Sequence, residues 1–225
     1  DAIEAIVVKE LGRPLEALYS RFEREPIASA SIGQVHRACL PDGSRVVVKV
    51  QRPGVDQTID TDLNILLAQA RFLEAHSAAM RNYRIVAIVQ ELSEALRAET
   101  DYMREGRHAE TLRRLVAKDG DVLIPRVYWD YTSRRVITLQ EIDGTKLCDL
   151  DRQSASASDL SAIARRLANI YLRQVFVYGV FHADPHPANI MLCGDKIALI
   201  DFGSMGYLSV ALRDQLGNLL EALIR

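Results

Sequence analysis

The sequence predicts an α+β fold in two lobes, and three observations predict it. Two strand-like stretches, "PIASASIGQVHRACL" and "SRVVVKVQ", meet at a turn in the first quarter. Long helical periodicities follow at 58–79 and 85–118. After "EIDGTKL" the composition shifts to Ser and Ala at 154–161, and the remainder is helical apart from one short hairpin. The first lobe is placed at 1–144, a small antiparallel sheet with helical insertions. The second is placed at 145–225 and is mainly helical, with a hinge at 141–144.

Residues 2–22 keep Ile3, Ile6, Val7, Leu11, Leu15 and Leu18 on roughly one side, which predicts a helix. Pro41-Asp42-Gly43 supplies the turn between the first two strands. The helix expected at 85–118 has its break at Gly106. Strand signals return at 122–128, where Pro125 marks an edge, and at 134–140. A helix is expected at 159–178. Strands at 190–193 and 196–200 fold around Gly194-Asp195, and the last helical pattern runs over 209–225.

The chain has 225 residues, 48% apolar and 26% charged, an ordinary globular balance. A net charge of −2 gives no basic field to draw in nucleic acid. Cys39, Cys148 and Cys193 are odd in number and far apart, so a reducing compartment and buried thiols are expected. The stretch nearest to a membrane span, 163–181, carries Arg165, Arg166 and Arg173. The chain starts without Met and ends inside a helical pattern, so a fragment is expected, with membrane segments outside it left open.

Chemistry is carried by a few spaced residues. In "VVVKV", alternation puts Val46, Val48 and Val50 on one face and Val47, Lys49 and Gln51 on the other. Lysine there is either a snorkelling surface group or the roof of a ligand cleft. Asp201 ends an apolar run and precedes Phe-Gly, a place for a carboxylate that holds a phosphate-bound metal ion, or a plain turn. "FHADPHPANIML" spaces Asp184 and Asn189 as in the H-x-D-x-x-x-x-N catalytic loop of kinase folds. That spacing lets the aspartate reach an attacking hydroxyl while the asparagine turns back to magnesium. Pro185 and Pro187 stiffen the loop. Asp201 stands twelve residues after Asn189, enough for a hairpin that brings the two together. His182 is expected to pack and hydrogen-bond the loop; His186 has no assigned role, and two prolines keep the pair from forming a helical zinc site. In "ETDYMRE", Asp101 and Glu105 are four apart and share a helix face, with Glu99 pointing elsewhere.

With those residues in place, the chain resembles the UbiB/AarF family of atypical kinase-like proteins. The resemblance rests on "PIASASIGQVHRA", "VVVKVQRPGV", "ETDYMRE", "FHADPHPANIML" and "LIDFGSMG" and runs from about Ile3 to the C-terminus. It implies a protein-kinase-like fold. It also implies an alanine-rich loop over the phosphates, here Ala28-Ser29-Ala30-Ser31, in which Ser29 departs from the family's usual alanine. By the same resemblance Lys49 binds the phosphates and pairs with Glu105, and Glu141 and Ile142 of the hinge contact the nucleotide. Asp184 is the catalytic aspartate, Asn189 and Asp201 are the magnesium ligands, and Glu99 and Asp101 form the family's E-x-D motif. Glu99 and Asp101 are expected to shape the site rather than the fold. The family's K-x-G-Q extension is missing: Gly33-Gln34 follows Ile32, with no lysine two before the glycine.

The implied cofactors are ATP or ADP and Mg2+, and the implied activity is that of an atypical kinase or ATPase supporting ubiquinone or isoprenoid-lipid metabolism. A lipid or isoprenoid acceptor and lipid-pathway enzymes are the implied partners, on the cytoplasmic side and peripheral to a membrane. The alternatives are a nucleotide-sensing scaffold or chaperone and a small-molecule phosphotransferase. The short run from "DFGSMGYL" to the last helix leaves no long activation segment of the kind that docks peptides.

Overall fold

The computed structural model describes residues 2–29, 32–150 and 157–224. Ala30 and Ser31 of the expected phosphate loop lie outside the described residues. The chain divides into two compact units, Asp1–Arg104 with Tyr128–Gln140, and Glu105–Val127 with Glu141–Arg225. The later change of unit falls at the start of the expected hinge, whereas 105–127, expected with the first lobe, belong to the second unit.

The first unit opens with helices α1 (Ala2–Leu11) and α2 (Leu15–Leu18). The single helix expected over 2–22 does not form. Gly12 takes a φ of +67°, Pro14 precedes the next turn, and Arg21–Phe22 is strand β1. A five-stranded antiparallel sheet runs β1, β3 (Gly33–Cys39), β4 (Arg45–Gln51), β6 (Val136–Gln140), with β2 (Ala28–Ser29) also paired to β3. Ala28 stands opposite Val35 and Ser29 opposite Gln34, so "PIASASIGQVHRACL" doubles back on itself rather than forming one strand. Val46, Val48 and Val50 are fully buried and pack in one core with Ile3, Val7, Leu15 and Leu18, as the alternation requires.

Between β4 and β6 come α3 (Val55–His76), α4 (Ala78–Asn82) and α5 (Ile85–Glu99). Ile59, Leu63, Leu67 and Ala70 turn inward on α3, and α3 packs against α5. The helix expected over 85–118 breaks at Thr100-Asp101, not at Gly106. The Thr100 hydroxyl donates to the Arg97 carbonyl at 2.8 Å and closes α5. The Asp101 carboxylate accepts from the Met103 and Arg104 amides and starts α6 (Tyr102–Leu115). Gly106 stays inside α6 and is buried.

The second unit holds most of α6, then β5 (Val122–Leu123), β7 (Thr145–Lys146), α7 (Ala157–Leu172), β8 (Val180–His182), β9 (Ile190–Cys193), β10 (Lys196–Leu199), β11 (Met205–Tyr207) and α8 (Val210–Ile224). Its four-stranded sheet runs β5-β10-β9-β7, and β5 lies at the edge, where Pro125 was expected to put it. A two-stranded sheet pairs β11 with β8. α7 passes into a π-helical turn at Arg173–Tyr178. Arg173 binds Asp121 at 2.6 Å and Asp119 at 3.4 Å, and Tyr178 donates to Asp119 at 2.8 Å, so this turn is tied to the residues that lead into β5. Of the three cysteines expected to be buried, Cys39 and Cys193 are half-buried and Cys148 is exposed, because it lies in the short turn after β7.

Candidate functional site

In the first unit, Lys49 occupies the central strand β4, opposite Val35 of β3 and Ile137 of β6. Directly opposed residues of antiparallel strands share a face, so Ala28, Val35, Lys49 and Ile137 form one row across the sheet. The first residue of the alanine-rich segment is thereby on the face of the lysine. Lys49 is half-buried between the fully buried Val48 and Val50.

The E-x-D segment is fastened to the end of the same strand. Gln51 is fully buried, not facing solvent, and its Nε2 donates to the Thr100 carbonyl. Gly33 is the cross-strand partner of Gln51. A Cβ at Gly33 would lie 2.5 Å from the Tyr102 hydroxyl and 2.8 Å from the Val50 carbonyl oxygen, so only glycine admits this approach. The Tyr102 amide donates to the Arg134 carbonyl at 3.0 Å, which ties the start of α6 to the loop before β6. Thr100 at the centre of the motif is buried and Glu99 is exposed. Asp101 has a capping duty, so it supports the fold as well as any site. The sequence assigned no site role to Gly33, Gln51 or Tyr102; only a cross-strand register would have shown that the first two meet the motif.

In the second unit, β9 and β10 form a hairpin between Asn189 and Asp201. Ile190 pairs with Leu199, and the Ile200 amide donates to the Asn189 carbonyl at 3.1 Å, so Asn189 and Asp201 lie at the same end of the hairpin. The Asn189 Nδ2 donates to Asp184 Oδ2 at 2.7 Å, and the His186 amide donates to Asp184 Oδ1 at 3.3 Å. Both oxygens of the exposed Asp184 carboxylate are oriented by its own loop. Asp201 is half-buried, and its Oδ1 accepts from the Gly203 amide at 3.1 Å. Glu105 is buried on α6. Glu141 and Ile142 are half-buried just after β6. Nearby, Gly144 passes so close to β9 that a Cβ would meet Cys193 Sγ and the Leu192 carbonyl at 2.6 Å.

His182 behaves as its neighbours in sequence suggested. It is buried, its Nδ1 accepts from the Asp184 amide at 3.3 Å, and its Nε2 donates to the Asp201 carbonyl. With one ring nitrogen accepting and the other donating, the imidazole is held as a single neutral tautomer that links the loop to the Asp-Phe-Gly turn. Its own amide donates to Gln174 Oε1 at 2.9 Å. His186 uses Nδ1 to accept from the Ala188 amide at 3.2 Å, a local cap of the turn. Tyr171 on α7 was not anticipated: burial pushes its phenol up to about 12, and the charge of Asp184 adds to the shift.

The donor set suits magnesium. Asn189 spends its Nδ2 on Asp184, which leaves its amide oxygen as the atom that could take a metal ion, and Asp201 could supply a carboxylate oxygen just beyond the end of β10. Magnesium takes one or two such oxygens and completes its shell with phosphates and water. Among the described residues no group of three or more His, Cys, Asp or Glu gathers into a protein-only metal cage.

A family model described as the ABC1 atypical kinase-like domain matches residues 1–225. The protein named Activity of BC1 Complex Kinase 7, chloroplastic, from Arabidopsis thaliana is 42% identical over 212 residues, 93% of this chain and 30% of its own length. The probable protein kinase UbiB of Marinobacter nauticus is 35% identical over 209 residues, 91% of this chain and 38% of its own. The chain thus spans well under half of these relatives. Among solved structures, the Rv3197–erythromycin complex from Mycobacterium tuberculosis superposes with a TM-score of 0.81 at 27% identity, over 91% of this chain and 51% of that one. The Rio2 kinase–ADP/Mg2+–phosphoaspartate complex from Chaetomium thermophilum gives 0.50 at 14% identity, over 89% and 56%. That likeness is one of fold: α+β and kinase-like, with an antiparallel-sheet first part and a helical remainder.

Proposed function

This chain belongs to the ABC1 atypical kinase-like family, and from that premise we propose that it binds ATP or ADP with magnesium and transfers or releases the terminal phosphoryl group. The observation that carries the proposal is the Asp184–Asn189 pair, a loop carboxylate hydrogen-bonded at both oxygens, with Asp201 at the same end of the β9–β10 hairpin as Asn189. That is the arrangement phosphoryl transfer needs for orienting a nucleophile and gripping a metal-bound phosphate. Lys49 is proposed as the cation for the α- and β-phosphates and Glu105 as its orienting carboxylate. Ala28, Ser29, Ala30, Ser31, Glu141 and Ile142 are proposed nucleotide contacts.

Bound magnesium would neutralise charge on the phosphates. The chain's own part is orientation: Asp184 accepts the proton side of an attacking hydroxyl while Asn189 and Asp201 hold their oxygens in place. The proposed acceptor is water or a small or lipid hydroxyl, in support of ubiquinone or isoprenoid-lipid metabolism. The proposed setting is the cytoplasmic side, peripheral to a membrane. Family resemblance supports those last assignments. No helix among the described residues is long and apolar enough to cross a membrane.

A thermal-shift titration with ATP or ADP tests the proposal. The wild type is expected to gain melting temperature only with magnesium present, and Asp201→Ala to lose that gain. An equal shift in Asp201→Ala would remove the metal role. Phosphate release abolished by Asp184→Asn would support turnover; binding with no release from the wild type would favour the nucleotide-sensing scaffold.

A further inference from the structure

His108 lies on α6, three residues after Glu105, and no sequence motif contains it. It is buried, and its Nδ1 sits 2.9 Å from the Phe202 carbonyl oxygen, a contact across 94 residues of chain. A carbonyl oxygen only accepts, so Nδ1 carries the hydrogen and His108 donates. One residue earlier, His182 donates to the Asp201 carbonyl, and the buried Phe202 ring stands edge-on to His182 at 5.7 Å. Two imidazoles from different elements therefore hold consecutive carbonyls of the Asp-Phe-Gly turn.

The consequence lies in one peptide plane. The Phe202 carbonyl and the Gly203 amide belong to the same planar unit and rotate together. His108 binds the oxygen end of that unit, and the amide end donates to Asp201 Oδ1 at 3.1 Å. Rotation of the plane would break both bonds at once. We infer that His108 is a positioning residue: by pinning the 202–203 peptide from α6, it fixes the direction of the Asp201 carboxylate. The effect on magnesium rests on the function proposed above; the pinning of the peptide does not.

Two measurements on the full chain separate those levels. The first is amide hydrogen exchange of the nucleotide-free protein over 201–204. His108→Leu keeps bulk and loses the donor, so exchange at Gly203 is expected to accelerate by about tenfold, the size of one lost hydrogen bond. His108→Asn places an amide N–H near the former Nδ1 and is expected to return the rate to within about threefold of wild type. Should the leucine variant fail to fold, His108→Ala, which suits a helix, takes its place. The second measurement is the magnesium concentration that half-saturates ADP binding. It is expected to rise about tenfold in His108→Leu and recover in His108→Asn. Unchanged Gly203 exchange in both donor-free variants, or an asparagine variant as fast as leucine, overturns the inference. Wild-type protein that binds no nucleotide would overturn the proposed function while the exchange result still decides the pinning. Altered exchange with unaltered magnesium dependence would overturn the positioning role.

Discussion

At the scale of single residues, chemical type and spacing point to the loop, but partners decide what each group does. Asp184 and Asn189 are exposed or half-exposed, yet Nδ2 of one is 2.7 Å from Oδ2 of the other, so neither is a free surface group. Asp101 shows the opposite surprise. Family resemblance gave it a site role, and the structure gives it a helix start. Asp101→Ala is expected to cost about 1 kcal/mol, a fall of about 2–4 °C in melting temperature for a chain of this size. Asp101→Asn keeps an accepting oxygen and is expected to melt with the wild type. Thermal melts followed by circular dichroism would show this, and equal losses from both replacements would count against the cap.

At the scale of elements, the β3–β4 pair and its cover form the unit worth perturbing. Gly33 faces Gln51 across the ladder, and the α5–α6 junction presses on both through Tyr102 and Thr100. Gly33→Ala is expected to destabilise by about 1–3 kcal/mol, as overpacking does. Adding Tyr102→Phe should recover only part of that loss, since the Val50 carbonyl would still lie 2.8 Å from the new methyl. Urea denaturation of the single and double variants measures the difference; full recovery would place all the strain on the hydroxyl. Strand and hairpin signals were legible because alternation and turn residues are local. The break in 85–118 was misplaced because glycine is only a weak helix breaker, whereas Thr100 and Asp101 act through side-chain bonds that a periodicity count ignores.

At the scale of the whole molecule, the acid response follows from two ion pairs. The hydrogen bond from Arg173 holds Asp121 below its usual 3.8, against the opposing pull of burial, and Arg113 does the same for Glu110 below 4.5. A carboxyl depressed in the folded state adds stability that is full above the unfolded pKa and disappears as pH falls through the folded one. The melting temperature is therefore expected to drop on acidification toward about pH 3. The gap between wild type and Asp121→Asn should be widest near neutrality and close at the acid end. A gap that widened in acid would reverse the assigned sign. Only the folded chain could reveal the Arg173–Asp121 pair, whose members are 52 residues apart, whereas Glu110 and Arg113 are three apart on α6. The sequence by itself determined the α+β character, the central lysine strand, the loop and the hairpin, because each is written in neighbours within a dozen residues. The tertiary structure alone decided that 105–127 join the second unit, that Gln51 and Gly33 anchor the E-x-D segment, and that a histidine on α6 reaches the Phe202 carbonyl. Those are contacts between distant segments, selected by packing and by the need to satisfy buried polar groups, and no local pattern encodes them.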